Sequence, residues 1–291
     1  MNLHKCKNYV QLCKVKLSLF SAFSAITGFL IAPVWSEERL VSLAAGVFLM
    51  ACGAAALNQY QERDTDALMS RTKDRPVPAR NIKPCHAFRF SLLLISLGFF
   101  FLFLGVGPAA SVLGSCGVLW YNGIYTYLKR KTAFAVIPGG LIGAIPPAIG
   151  WVAGGGALSD PRVLALCFFF FMWQVPHFWL LILNYGKEYE EAGLPSLSGI
   201  FSRTQLVRIT SHWIFATVVS CLFVFFYGLH SRLMFFSLFM ASLWFLWQGI
   251  NLRRGHDENK VNCCAVFKTS NYYMLFVLSL LSFDRFNVFL R

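Results

Sequence analysis

Apolar runs of about twenty residues recur from one end of this chain to the other, and that recurrence constrains the fold before any motif is considered. A run of that length crosses the roughly 30 Å hydrocarbon core of a bilayer as a helix, with every backbone polar group satisfied internally. Such runs fall near residues 17–35, 40–60, 88–106, 108–126, 133–154, 162–183, 207–229, 232–250 and 266–283. The expectation is an all-α, polytopic transmembrane bundle of about nine helices. Composition agrees, with 57% hydrophobic and 13% charged residues across 291 positions, far from a soluble globular profile. No low-complexity tract, strong internal repeat or long linker divides the chain, so residues 1–291 read as a single domain.

The net charge of +13 invites a nucleic-acid reading, but its distribution is topological. With the N-terminus in the cytoplasm, Lys and Arg gather in the N-terminal segment and in the 61–89, 128–132, 184–208 and 251–268 loops. Just Arg39, Arg162, Arg232, Arg285 and Arg291 fall on the opposite side. That bias is the positive-inside rule, and nine spans place the C-terminus outside. The same charge attracts lipid headgroups or an anionic substrate, and nucleic acid is not expected. Nine scattered cysteines lack metal-ligand spacing and read as small apolar residues. The basic N-terminus leads into Leu17–Pro33 without a persuasive small-residue cleavage site. It is therefore expected to be a retained span in a bacterial inner (cytoplasmic) membrane.

Against this apolar background the string NQYQERDTDALMSRTKDRP, residues 58 to 76, stands out. Asn58, Glu62 and Asp66 are spaced i, i+4, i+8, so a helix stacks them on one face at about 6 Å intervals as a ladder of oxygen ligands. Carboxylates at membrane depth are costly and usually serve an ion or substrate path. Arg71, Lys73 and Arg75 follow, and oxygen ligands beside cations suit a Mg²⁺-bound phosphate. The plainer alternative is a solvated loop of surface ion pairs; Asp64, on the far side of the helix, fits that role.

A second cluster, FFFFMWQVPHFWLLILNYGKEYEEAGLP, again places an amide and a carboxylate, Asn184 and Glu188, at i and i+4. Two such ladders would hold Mg²⁺ between helices, with a diphosphate as third party; the alternative is an acidic loop-capping run. Within the same span Trp173, Gln174, Pro176 and His177 break the apolar surface, Gln174 and His177 on one face. His177 is either a packed, hydrogen-bonded histidine or a contact for an aromatic acceptor. A third string, YNGIYTYLKRKT, carries Tyr125, Lys129 and Arg130 at a cytoplasmic span end, as topological anchors or as diphosphate ligands. It leads to PGGLIGAIPPAIGW, whose small residues permit close approach of helices or of a flat ligand.

Taken together, the ladder running into MSRTKDRP, YTYLKRKT with GGLIGAIPPAIGW, FMWQVPHFW with KEYEEAGLPSL, and FKTSNYYMLFVLSLLSFD resemble the UbiA superfamily of intramembrane prenyltransferases. The RTKDRP, YTYLKR and WQVPHF strings resemble its haem-modifying branch. The resemblance implies helices around a central cavity, with farnesyl diphosphate as donor, haem B as a substrate rather than a permanent cofactor, and Mg²⁺ as cofactor. It implies Asn58, Glu62, Asp66, Asn184 and Glu188 as metal ligands, and Arg71, Lys73, Lys129 and Arg130 as diphosphate ligands. Tyr125, Trp173, Gln174 and His177, with Phe178, would wall the acceptor pocket. A downstream haem-modifying enzyme or terminal oxidase assembly is the implied partner. Transfer to a quinone precursor is the neighbouring alternative, and a cation-coupled transporter the alternative from another class. The chain departs from the branch at Val15, where a Pro is usual, at Ala135, where an Asn is usual, at Glu188 for Asp, and at Ser196 for Met.

Overall fold

A computed structural model describes residues 3–228, 231–254 and 263–289. Among these residues every regular element is helical. In chain order they are α1 (Leu3–Leu12), α2 (Val15–Leu30), α3 (Glu37–Asp66), α4 (Pro84–Gly105), α5 (Pro108–Val118), α6 (Leu141–Ala153), α7 (Pro161–Glu191), α8 (Arg203–Gly228), α9 (Arg232–Arg254) and α10 (Cys263–Phe289). Seven segments are long and apolar enough to cross a membrane, and α1 with α2, bent by 50°, makes an eighth. The remaining match to the expected nine is α5, which continues through a π-helical turn, Leu119–Tyr125, into Thr126–Leu128. Large side chains face outward as lipid-exposed surface, Phe226, Leu104 and Leu233 among them.

Helix ends follow local chemistry. Ser36 caps α3 by accepting a hydrogen bond from the Arg39 N–H, and Pro opens α4, α5 and α7, where its missing N–H costs nothing. Asp160 caps α7, accepting from the Arg162 N–H at 2.8 Å. The Arg162 guanidinium bonded to the same carboxylate holds it below the usual carboxylate range.

Two helices are longer than a bilayer needs. α3 has 30 residues and α7 has 31, about 45 Å each at 1.5 Å per residue, against a hydrocarbon core of roughly 30 Å. Their surplus turns carry the polar runs of residues 58–66 and 184–191, which explains how charge sits on an apolar helix without lying at its membrane centre.

Packing between α2 and α6 depends on two glycines. A Cβ on Gly150 would lie 1.8 Å from the Ala25 carbonyl oxygen, and one on Gly28 would lie 2.1 Å from the Pro147 carbonyl oxygen. Both obstacles are backbone, so neither yields to a rotamer change. Gly150→Ala is expected to destabilise the detergent-solubilised protein by about 1–3 kcal/mol, the usual range for overpacking. A fall of several degrees in its thermal midpoint would show this; an unchanged midpoint would mean that the crossing is looser than described.

Candidate active site

A cavity of about 1010 Å³ runs down the middle of the bundle. Its walls are helical stripes. On α3 they include Val47, Met50, Ala51, Ala54, Ala55, Asn58, Glu62 and Asp66, and on α7 Phe170, Trp173, Gln174, His177, Phe178 and Leu181. Steps of three and four along each helix keep these residues on one face. The cavity therefore has a polar end on the ladder side and an apolar, aromatic depth.

At the polar end each rung of the ladder meets a cation. Asn58, Glu62 and Asp66 are 2%, 6% and 1% exposed, so none is a solvated surface group. Arg75 donates from one nitrogen to both Asp66 carboxylate oxygens, at 2.7 and 2.9 Å. Glu62 forms an ion pair with Lys129. Asn58 accepts from the Lys14 ammonium at 3.1 Å and donates to Thr126 Oγ1 at 3.2 Å, which fixes its amide orientation. Lys14 occupies the break between α1 and α2 in a left-handed backbone conformation, φ 44°. Gln59 holds that break against α3 by donating to the carbonyls of Gln11 and Leu12.

Removing these groups from water is tolerable because opposite charges are matched in contact, and a lone buried charge of either sign would be costly. The donor set, two carboxylates and an amide oxygen, suits a hard cation such as Mg²⁺ that retains waters and takes phosphate oxygens. Among the described residues no three His, Cys, Asp or Glu side chains converge as an all-protein metal cage.

The deeper chamber is aromatic. The His177 imidazole lies between Trp173 and Phe267, ring centroids 4.6 and 4.7 Å away, and its Nδ1 is buried without a hydrogen-bond partner among the described residues. Trp173 is fixed by donating to the Ser270 carbonyl at 3.0 Å. Tyr125 packs toward Phe178 and stacks on Tyr121 one turn earlier. Gly139 and Gly143 admit Tyr125 and Gln174: a Cβ at either would stand 2.6 or 2.7 Å from those side chains.

Not every residue singled out in the sequence reaches the cavity. Asn58, Glu62, Asp66, Arg71, Lys129, Arg130, Tyr125, Trp173, Gln174 and His177 line it. Lys73 is exposed and is absent from its wall. Asn184 and Glu188 are absent from it too. Asn184 donates to the Leu180 carbonyl and accepts from the Cys264 thiol on α10. Glu188 accepts from the Arg71 backbone N–H at 3.2 Å, while the Arg71 side chain donates to the Tyr189 hydroxyl and lies over Tyr185. Asn184 and Glu188 therefore tie α7 to α10 and to the 67–83 loop, respectively. Asp64 is 85% exposed and pairs with neighbouring Arg63.

Lys14, Tyr121 and Asn271 are among the polar cavity residues to which the sequence reading gave no role. Tyr121 had a usable signal, four residues before Tyr125. The departures at Val15, Ala135 and Ser196 all lie off the cavity wall; Ala135 is buried in a short turn and Ser196 caps the turn Leu197–Gly199.

A family model described as the UbiA prenyltransferase family matches residues 21–272. The chain belongs to the UbiA prenyltransferase family. A relative in Opitutus terrae, a protoheme IX farnesyltransferase, is 34% identical over 97% of this chain and 95% of its own length. Another of the same name in Neorickettsia sennetsu is 36% identical over 95% of this chain and 91% of its own. Solved structures show the UbiA fold at lower identity. A digeranylgeranylglyceryl phosphate synthase structure matches with a TM-score of 0.74 at 17% identity, covering 97% of this chain and 99% of that one. A UbiA homologue from Archaeoglobus fulgidus, bound to GPP and Mg²⁺, matches with a TM-score of 0.68 at 15% identity over 94% of this chain and 99% of that one. The all-helical bundle formed by the described residues thus has the UbiA fold.

Proposed function

We propose that this UbiA prenyltransferase moves a farnesyl group from farnesyl diphosphate to a vinyl group of haem B, giving haem O. The observation that carries the proposal is one cavity joining a carboxylate ladder matched by cations to a wide aromatic chamber. The names of the full-length relatives support the acceptor and donor, and the GPP and Mg²⁺ in the Archaeoglobus homologue support a metal-bound diphosphate.

In this reading Asn58, Glu62 and Asp66 would hold Mg²⁺, which would supply neutralisation of charge on the departing diphosphate. Asn184 and Glu188 would add to this donor set only on leaving the Cys264 thiol and the Arg71 backbone N–H. Lys129 and Arg75, poised on the same carboxylates, and Arg71 and Arg130 at the mouth, meet the diphosphate oxygens as negative charge develops there. Lys73 acts at longer range, from the outer face of the same loop.

The allylic C–O bond breaks and its electron pair leaves with the diphosphate. The vinyl π electrons form the new C–C bond, and water adds to the resulting cation with loss of a proton. Tyr125, Trp173 and Phe178 present ring faces that stabilise the cationic carbon and exclude bulk water before transfer. No protein nucleophile is needed, since the electron pair comes from the acceptor. Purified protein with haem B, farnesyl diphosphate and Mg²⁺ should yield haem heavier by one farnesyl and one hydroxyl substituent, read by mass spectrometry. Unmodified haem beside hydrolysed or intact donor would reject the proposal.

The chain is proposed to act as one domain in a bacterial inner membrane, its mouth cytoplasmic, handing its product to a haem-modifying enzyme or terminal oxidase assembly. An epitope inserted beside Lys73 is expected to be shielded in intact spheroplasts, and one beside Leu158 to be accessible. Equal accessibility of both would contradict the orientation.

A further inference from the structure

The stripe that carries the ladder on α3 does not stop at Asn58. Ala55, Ala54, Ala51, Met50 and Val47 continue it along the cavity wall. At 1.5 Å per residue, Ala51 lies about 10 Å, Met50 about 12 Å and Val47 about 16 Å below Asn58. Between the ladder and Met50 the α3 side of the wall is alanine alone, a smooth surface for an unbranched tail.

Below that surface the cavity meets packed side chains. Val47 is the deepest α3 residue on the wall, and Leu43, one turn further, is 0% exposed. Met50 and Val47, each 4% exposed, join Leu43, Leu102 and Ile149 in one apolar cluster. On the facing helix a Cβ on Gly114 would lie 2.8 Å from Met50 Sδ, so Met50 already fills the space between α3 and α5.

We infer that this stripe is a ruler for the prenyl donor, with Met50 and Val47 as its floor. The inference rests on the prenyl-transfer reading above and extends it to chain length. A farnesyl main chain has twelve carbons, as many bonds as four extended residues, or roughly 14 Å. With the diphosphate at the ladder, its last isoprene unit ends between Met50 and Val47. A geranylgeranyl chain is longer by about a third and drives its end into the packed cluster, where added volume forces strain. A geranyl chain ends near Ala51 and leaves the floor without contacts.

The test compares binding of geranyl, farnesyl and geranylgeranyl diphosphates, each with Mg²⁺, to the full chain in nanodiscs. The wild type is expected to prefer farnesyl. Met50→Ala should lower the floor and raise the geranylgeranyl to farnesyl affinity ratio at least tenfold. Ala51→Leu should raise the floor and increase the geranyl to farnesyl affinity ratio at least tenfold. Unchanged ratios in both variants, or a wild type indifferent to length, would overturn the ruler. The same proteins assayed with haem B keep the two claims apart. Length switching without prenylated haem supports the ruler and removes haem as acceptor, whereas a wild type that binds none of the three donors removes both.

Discussion

Glu62→Gln is expected to cut turnover about a thousandfold while leaving the protein folded and inserted, the scale of losing one preorganised group at a developing charge. The substitution keeps the shape of a side chain that is 6% exposed but removes the charge that faces Lys129. It weakens the oxygen donor set at the middle rung and leaves the Lys129 ammonium without its carboxylate. Asp66→Asn should be comparably severe, because Arg75 is held by both Asp66 oxygens. Asp64→Asn is the control on the same helix: its side chain is 85% exposed, and an exposed pair such as Arg63–Asp64 contributes little. The informative measurement is the Mg²⁺ concentration for half-maximal turnover, which should rise for the two ladder variants and stay fixed for the control. Equal losses at all three positions would remove the assignment of the ladder to one helix face.

The ladder was legible in the sequence because period 3.6 is conspicuous when its members are the polar residues in an apolar run. Its partners were not equally legible. Arg75 reaches Asp66 across a turn-rich loop whose path no local pattern dictates, and Lys14 reaches Asn58 because the chain bends by 50° between α1 and α2. The apolar spans could be read because hydrocarbon thickness fixes their length, and seven, or eight with the bent α1–α2 pair, are seen among the described residues, yet the π turn that follows α5 leaves no mark in composition.

Asn184 and Glu188 illustrate the limit of periodicity. An ideal helix puts both within about 20° of His177, which does line the cavity. Their side chains are taken instead by the Cys264 thiol, the Leu180 carbonyl and the Arg71 backbone N–H. Helical phase sets the direction of a Cβ, whereas hydrogen-bond partners, the Cys264 thiol and the Arg71 N–H distant in sequence and the Leu180 carbonyl one turn away, decide where these polar tips rest. The α3 stripe below Asn58 has the opposite character. Its alanines follow the period faithfully, but alanine in a membrane helix is too common to be noticed until a cavity lies beside it.

His177→Ala should weaken haem binding about tenfold to a hundredfold while changing farnesyl diphosphate affinity by less than about twofold. The imidazole is held between Trp173 and Phe267 at 4.6 and 4.7 Å, and each aromatic pair of this kind is worth about 0.5–1.5 kcal/mol. Its loss opens the chamber wall and removes a nitrogen, Nδ1, that has no partner among the described residues. Separation from the diphosphate end is built into α7: Glu188 lies eleven residues further on, about 16 Å along the axis. The two ligands should therefore respond independently. His177→Phe divides the effect, since it preserves the stacked ring and deletes both nitrogens. Recovery of haem binding in that variant would assign the role to packing, and continued weakness would assign it to the nitrogens. A variant that keeps haem and loses farnesyl diphosphate would place the acceptor elsewhere than beside α7.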